Sequence, residues 1–310
     1  MIYTCTIAPS IDYTAYLSEF ESGKLNRTTE VYYYPGGKGI NVSRVLKRLG
    51  IPNKALGFVG GFTGRYIEGY LKNEGVDSDF IETAEVTRIN VKIKSATETE
   101  LNGPGPELTA DQLAALTKKV RDMNEYDWFV LAGSLPSTIG PDYFLELATI
   151  CQTKNIRFVL DTSGPMLNSI LTTPVFLVKP NQQELGELFD VDITNLTDVY
   201  HYARKLVDSG TEHVVVSMGG DGAMLVTKDT ALIANAPNGK VVNTVGAGDS
   251  LVSGFIAAYA THGDAAQAFR FGVASGSATA FRSDLCEKED VETLLDQIEV
   301  YPFEEKDVTK

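Results

Sequence analysis

The sequence predicts an α/β fold: a doubly wound, mostly parallel sheet flanked by helices, with a small second β-sheet acting as a lid. Three observations predict it. Short runs rich in Val, Ile, Leu and Phe recur along the 310 residues, the pattern of strands buried on both faces. Stretches with helical apolar spacing separate those runs, so strand and helix alternate. Two polar, β-branched, alternating segments, about 12–35 and 87–102, interrupt the rhythm and suggest strands with one wet face.

In chain order, the buried strands are expected at 2–7, 55–59, 128–132, 156–160, 175–178 and 214–217. Helices are expected at 39–49, 65–73, 110–123, 141–154, 197–209 and 250–261. With 43% hydrophobic residues the chain can bury a large core, and its length suits one unit over 1–310 with the lid segments inserted. A formal net charge of -14 makes the average surface repel nucleic acid and anionic lipid, so neither is an expected partner and any anion site must be local. Cys5, Cys151 and Cys286 are scattered and odd in number, which points to buried reduced thiols. No basic leader opens the chain, and no stretch approaches about 18 consecutive apolar residues, so a cytoplasmic protein is expected. The tail from Glu304 to Lys310 is polar and expected to fray.

The most informative stretch runs from Val241 through Gly246, Ala247, Gly248 and Asp249, with Leu251, Val252, Phe255, Ile256 and Tyr259 following at helical spacing. It reads as a strand, a Gly-rich turn and an amphipathic helix. Small residues at 246–248 let backbone N–H groups approach an anion, and the helix N-terminus adds partial positive charge. Asp249 stands where it can take the proton of an attacking hydroxyl, and an ordinary carboxyl pKa of about 3.9 would keep it ionised at neutral pH. The competing reading is that Asp249 only caps the helix. No G-x-x-x-x-G-K-[ST] and no complete G-x-G-x-x-G occurs, which sets aside two familiar nucleotide folds. A second Gly-rich turn, from Ser217 through Gly219 to Gly222, can cradle further phosphates. After Lys179 and Pro180, Asn181 and Glu184 are spaced either to orient Mg2+ through water or to form a capping box.

At the other end, Gly36, Gly37, Lys38, Gly39 and Asn41 precede a helix with an apolar face of Val42, Val45, Leu46 and Leu49. Lys38 and Asn41 offer the charge and amide that a sugar phosphate needs. Arg88, on the lid, can grip a phosphate bidentately. Asp12 follows the first strand, where ligands bind in open α/β sheets, and Ser134 also ends a strand. His201, His213 and His262 show no zinc-ligand spacing.

Through residues 36–41 and 244–250, in the expected order and separation, the chain resembles the PfkB, or ribokinase-like, carbohydrate kinase family over essentially its whole length. The resemblance implies Asp249 as catalytic base, with Gly246, Ala247 and Gly248 as the anion hole. It implies Asn181 and Glu184 as the pair that organises Mg2+, and Lys179, Asn181, Ser217, Gly219, Gly222, Thr244 and Gly248 as ATP contacts. Asp12, Gly37, Lys38, Asn41 and Arg88 would hold the sugar phosphate, with Ser134 beside them. Segments 34–49, 87–94, 100–103 and 276–281 are most similar to the bacterial 1-phosphofructokinase branch, which implies ATP-dependent phosphorylation of D-fructose 1-phosphate at C6. Tagatose-6-phosphate kinase is the alternative enzyme, and a sugar-phosphate sensor the non-enzymatic one. Asn243 stands where the wider family has Asp, and Ala8 where near relatives have Asn. The lid strands offer edges for a homodimer.

Overall fold

A computed structural model describes residues 1–134, 136, 138–162, 168 and 172–304. Residues 305–310, on which the expectation of a frayed tail falls, lie outside the described residues, as does Leu135 beside Ser134.

In chain order the first half contains β1 (Ile2–Thr6), β2 (Ser10–Tyr16), β3 (Glu30–Gly36), α1 (Lys38–Arg48), β4 (Asn53–Val59), α2 (Gly61–Asn73), β5 (Asp77–Ser78), β6 (Ile81–Glu82), β7 (Arg88–Lys94), β8 (Glu98–Leu101), α3 (Ala110–Arg121), β9 (Trp128–Ala132) and α4 (Pro141–Thr153). The second half contains β10 (Arg157–Asp161), β11 (Leu177–Val178), α5 (Gln182–Phe189), α6 (Leu196–Asp208), β12 (His213–Ser217), β13 (Ala223–Thr227), β14 (Ala231–Ala234), α7 (Ala247–His262), α8 (Ala265–Ala280), α9 (Lys288–Leu295) and β15 (Val300–Pro302). The main sheet has the order β15-β14-β13-β12-β11-β10-β9-β1-β4-β5. It is parallel from β12 to β5 and antiparallel from β12 to β15.

Strand alternation divides the core between two faces. Phe129 and Leu131 of β9 join Phe158, Leu116, Phe144, Leu185 and Leu206 on the face covered by α3, α4, α5 and α6. Trp128, Val130 and Ala132 of the same strand join Val42, Val45, Leu46, Phe255 and Phe269 on the face covered by α1, α7, α8 and α9. Such a two-sided sheet explains the near-continuous apolar runs. The three cysteines are free thiols in these cores, and burial pushes the Cys151 thiol up to about 12.

The expected small second sheet is present, with the order β3-β2-β7-β8. One segment departs from expectation: residues 241–244 form no strand. Both edges of β14 are taken, by β13 and β15, so the run cannot pair beside the strand it follows. Val241 and Val242 are exposed, and the N–H groups of Val242 and Asn243 both donate to the Ala280 carbonyl.

Candidate active site

The C-terminal ends of β1, β9, β11 and β12, the polar face of the small sheet, and the N-termini of α1 and α7 meet around a cleft of about 630 Å3. Its lining brings together Asp12, Gly37, Lys38, Asn41, Arg88, Ser134, Lys179, Asn181, Glu184, Ser217, Gly246, Gly248 and Asp249, all singled out from sequence. Two helix N-termini at one cleft supply partial positive charge without a side chain.

Four predicted residues do not line it. Thr244 lies in the turn before α7 and Ala247 is the first residue of that helix; the Ala247 N–H donates to the Thr244 carbonyl, so the expected anion-hole donor is already engaged. Gly219 sits in the exposed 3-10 turn between β12 and β13. Gly222 has a packing reason: a Cβ there would stand 2.0 Å from the Ala234 carbonyl oxygen on β14.

Asp249 is 6% exposed and does not cap its helix; its Oδ2 accepts a hydrogen bond from Asn41 Nδ2 at 2.8 Å. The preceding turn can form because Gly246 has φ +82. Gly248 leaves room for Lys179, whose Nζ would stand 2.9 Å from an added Cβ. Lys38 Nζ lies 3.1 Å and Lys179 Nζ 3.6 Å from Oδ1 of one carboxylate, Asp161, which is 1% exposed. Asp161 Oδ2 is buried without a partner among the described residues.

This cluster alters the expected protonation. Burial, then the charge of Asp161, pushes the Asp249 carboxyl up to about 6, against the pull of Lys38, the Asn41 hydrogen bond and Lys179. The ordinary pKa assumed from sequence is therefore corrected, although the group stays mainly ionised at pH 7.5. Burial would raise Asp161 too, but Lys179 and Lys38 outweigh it and hold it below the usual carboxylate range. Burial would lower Lys38, but Asp161, Asp249 and Glu184 hold its ammonium above its ordinary value.

On the small sheet, Asp12 Oδ1 accepts from Ser10 Oγ at 2.7 Å and Asn90 Nδ2 at 3.0 Å, while Lys92 Nζ lies 3.5 Å from Oδ2. Arg88 donates to the carbonyls of Ala8 at 2.9 Å and Gly103 at 3.1 Å, and its Nε is buried without a partner among the described residues. Asn181 and Glu184 form the reciprocal capping box: the Glu184 N–H donates to Asn181 Oδ1 at 2.7 Å and the Asn181 N–H to Glu184 Oε2 at 2.8 Å. Both still face the cleft.

Asp161 and Asn90 were missed as site residues. Asp161 ends β10 as Asp12 follows β1, so the strand-end rule could have found it. Asn90 gave no separate signal within an alternating strand.

The pfkB family carbohydrate kinase profile matches residues 5–291. The chain belongs to this family. It is 48% identical to the 1-phosphofructokinase of Bacillus subtilis over 97% of this chain and 99% of that protein. It is 36% identical to the D-tagatose-1-phosphate kinase of Bacillus licheniformis, with the same coverage of 97% and 99%. The phosphofructokinase-2 structure from Escherichia coli in complex with substrates and products superposes with a TM-score of 0.90 at 32% identity, covering 95% of this chain and 98% of that one. A ribokinase-like sugar-phosphate kinase is thus in hand, and among the described residues no helix is long and apolar enough to cross a membrane.

The raised Asp249 pKa gives a stability prediction for this kinase. The folded-state value lies above the unfolded one of about 3.9, so the native state binds more protons between pH about 4 and 6 and loses stability as pH rises through that window. Asp249→Asn should therefore melt no lower than wild type at pH 7.5, with its relative advantage shrinking toward pH 4, as thermal denaturation at both pH values would measure. A lower melting temperature at pH 7.5 would contradict the burial penalty.

Proposed function

We propose that this kinase transfers the γ-phosphoryl group of ATP to the C6 hydroxyl of D-fructose 1-phosphate, giving fructose 1,6-bisphosphate and ADP. The observation that carries the proposal is a buried carboxylate, oriented by Asn41, at the mouth of an anion-accepting turn and beside two lysines. Asp249 takes the hydroxyl proton as the C6 oxygen bonds to the γ-phosphorus and the bond to the β,γ-bridging oxygen breaks. Lys38, Lys179 and the α7 N-terminus face the charge spreading over the transferred group.

Among the described residues no group of three or more His, Cys, Asp or Glu could hold a metal ion. Mg2+ would be held chiefly by the nucleotide phosphates, with Glu184 and Asn181, which face the cleft, holding it through water, and it would neutralise phosphate charge. Asp12, held by Ser10, Asn90 and Lys92, is set to accept sugar hydroxyls, and Arg88 faces the sugar phosphate. The small sheet serves as a lid that excludes water, and its outer strands β3 and β8 offer edges for a homodimer.

A second reading, a tagatose phosphate as acceptor, is favoured by the relative named D-tagatose-1-phosphate kinase. A 1-phosphate ketohexose epimeric at C4 would occupy the same cleft. A sensor has no use for Asp249 with its orienting amide.

Coupled ADP release with Mg·ATP should show the highest kcat/KM for fructose 1-phosphate among fructose 1-phosphate, fructose 6-phosphate, tagatose 1-phosphate and tagatose 6-phosphate, and Asp249→Asn should lower kcat by roughly 10²–10⁴. Preference for a tagatose ester would change the acceptor; no turnover with any would leave the sensor. Because the base must be ionised, kcat should fall as pH drops through about 6. Asp161→Asn removes a like charge and should move that limb to lower pH, so an unmoved limb would detach Asp161 from the base. Arg88→Ala should act mainly on the sugar-phosphate KM, costing about 1.5–3 kcal/mol for a charge-assisted contact; an unchanged KM would leave Arg88 only its carbonyls.

A further inference from the structure

The small sheet and the anion-binding turn belong to separate parts of the chain, yet one buried cation reaches toward both. Arg44 on α1 is 2% exposed. Its Nε and Nη2 donate to the two oxygens of Glu74 at 2.8 and 2.9 Å, and its Nη2 donates to Asp284 Oδ2 at 3.1 Å and to the Tyr70 hydroxyl at 3.3 Å. The guanidinium carbon lies 6.0 Å from the ring centre of Tyr34, on β3 of the small sheet, and 5.2 Å from that of Tyr70 on α2. One turn later, Arg48 pairs with Asp284 at 2.7 Å and Glu74 at 3.2 Å and donates to the Leu285 carbonyl at 2.5 Å. Leu285 in turn packs on the anion-binding turn, its Cδ2 only 2.6 Å from where a Gly246 Cβ would stand. Three residues before Arg44 on the same helix, Asn41 holds Asp249.

Tyr34, Arg44, Asp284 and Leu285 also line a cavity of about 490 Å3 that shares Asp12, Asn41 and Val245 with the catalytic cleft. Space therefore exists for the small sheet to move relative to the 283–285 segment, while Arg44 contacts both sides of it. We propose that Arg44 is a positioning residue that transmits the placement of the small sheet, through Tyr34, to the Asp284–Leu285 segment and so to the anion-binding turn. For stability alone a buried cation is a poor choice, because desolvation can offset its pairing energy. A planar guanidinium can face two aromatic rings and grip two carboxylates at once, which a lysine cannot.

The proposal rests on the assignment of Asp249 and the 246–248 turn to phosphoryl transfer. Saturating kcat, KM for ATP and thermal melting would be measured for Tyr34→Leu, Arg44→Lys and the double variant, with the preferred sugar phosphate as acceptor. Tyr34→Leu should lower kcat about fivefold and Arg44→Lys about thirtyfold, with the KM for ATP within about twofold of wild type, and the double variant should be no slower than Arg44→Lys alone, since residues acting through one contact are non-additive. Should Arg44→Lys not fold, Asp284→Asn replaces it in the same cycle. Wild-type kcat in Tyr34→Leu, or losses that multiply in the double variant, would overturn the coupling. Failure of the underlying assignment is distinguishable, because Asp249→Asn would then retain turnover.

Discussion

Asp161 is the constraint around which the rest of the cleft is arranged. Two ammonium groups, Lys38 and Lys179, point at one of its oxygens from different elements, and the second carboxylate, Asp249, stands close enough to feel its charge. Leaving any one of these groups buried and unpaired would cost several kcal/mol. The end of β10, the start of α1, the segment after β11 and the first turn of α7 are therefore tied to one point. The tie costs stability at Asp249, whose charged form is disfavoured in the folded state. A carboxylate poised near 6 is also a better proton acceptor than one at about 3.9, so the destabilised group is the one suited to the proposed role of base.

In the proposed reaction an incoming triphosphate would change the balance of that cluster. Asp161 shares the two lysines, and the approach of phosphate oxygens would offer them stronger, multiply charged partners. The lysines would not need to be recruited from solvent, since they already stand beside the cleft and Lys179 packs on the turn at Gly248. Preorganised charge of this kind avoids reorganisation at the moment of transfer. It also makes room for negative charge in a protein whose net charge is -14, which would otherwise repel the nucleotide.

The parallel part of the fold was legible because its strands are buried on both faces and read as short apolar runs, while α1, α3 and α6 carry clear one-sided apolar stripes. Helix α8 gave no such signal: its Ala, Gly and Ser residues pack closely against α7, and burial on several sides erases the period. The 241–244 run has strand-like residues but pairs with no strand; the N–H groups of Val242 and Asn243 go instead to the Ala280 carbonyl, a tertiary contact that local sequence does not carry. Within the site, the glycine turns, Asp249, Asn41 and Asp12 could be placed from motif and strand-end position. Asp161 could not be weighed from its neighbours, because its significance comes from Lys38, 123 positions earlier in the chain. Gly222 shows the converse, a motif glycine whose nearest constraint is the β14 backbone.

The small sheet connects packing to recognition through its register. In β2, Ile11 points into an apolar cluster with Ile40, Ile67 and Leu71, while the residues on either side, Ser10 and Asp12, face the cleft. The pairing of β2 with β7 sets Ser10 beside Arg88, Asp12 beside Asn90 and Thr14 beside Lys92, so one face gathers the polar side chains. A slip of one residue would expose Ile11 and bury Asp12, exchanging every side chain between faces. The apolar cluster beneath α1 and α2 forbids that slip. Residues outside the cleft thereby fix which side chains face it, and Ile40, one position before Asn41, lets the same helix anchor the sheet and orient Asp249.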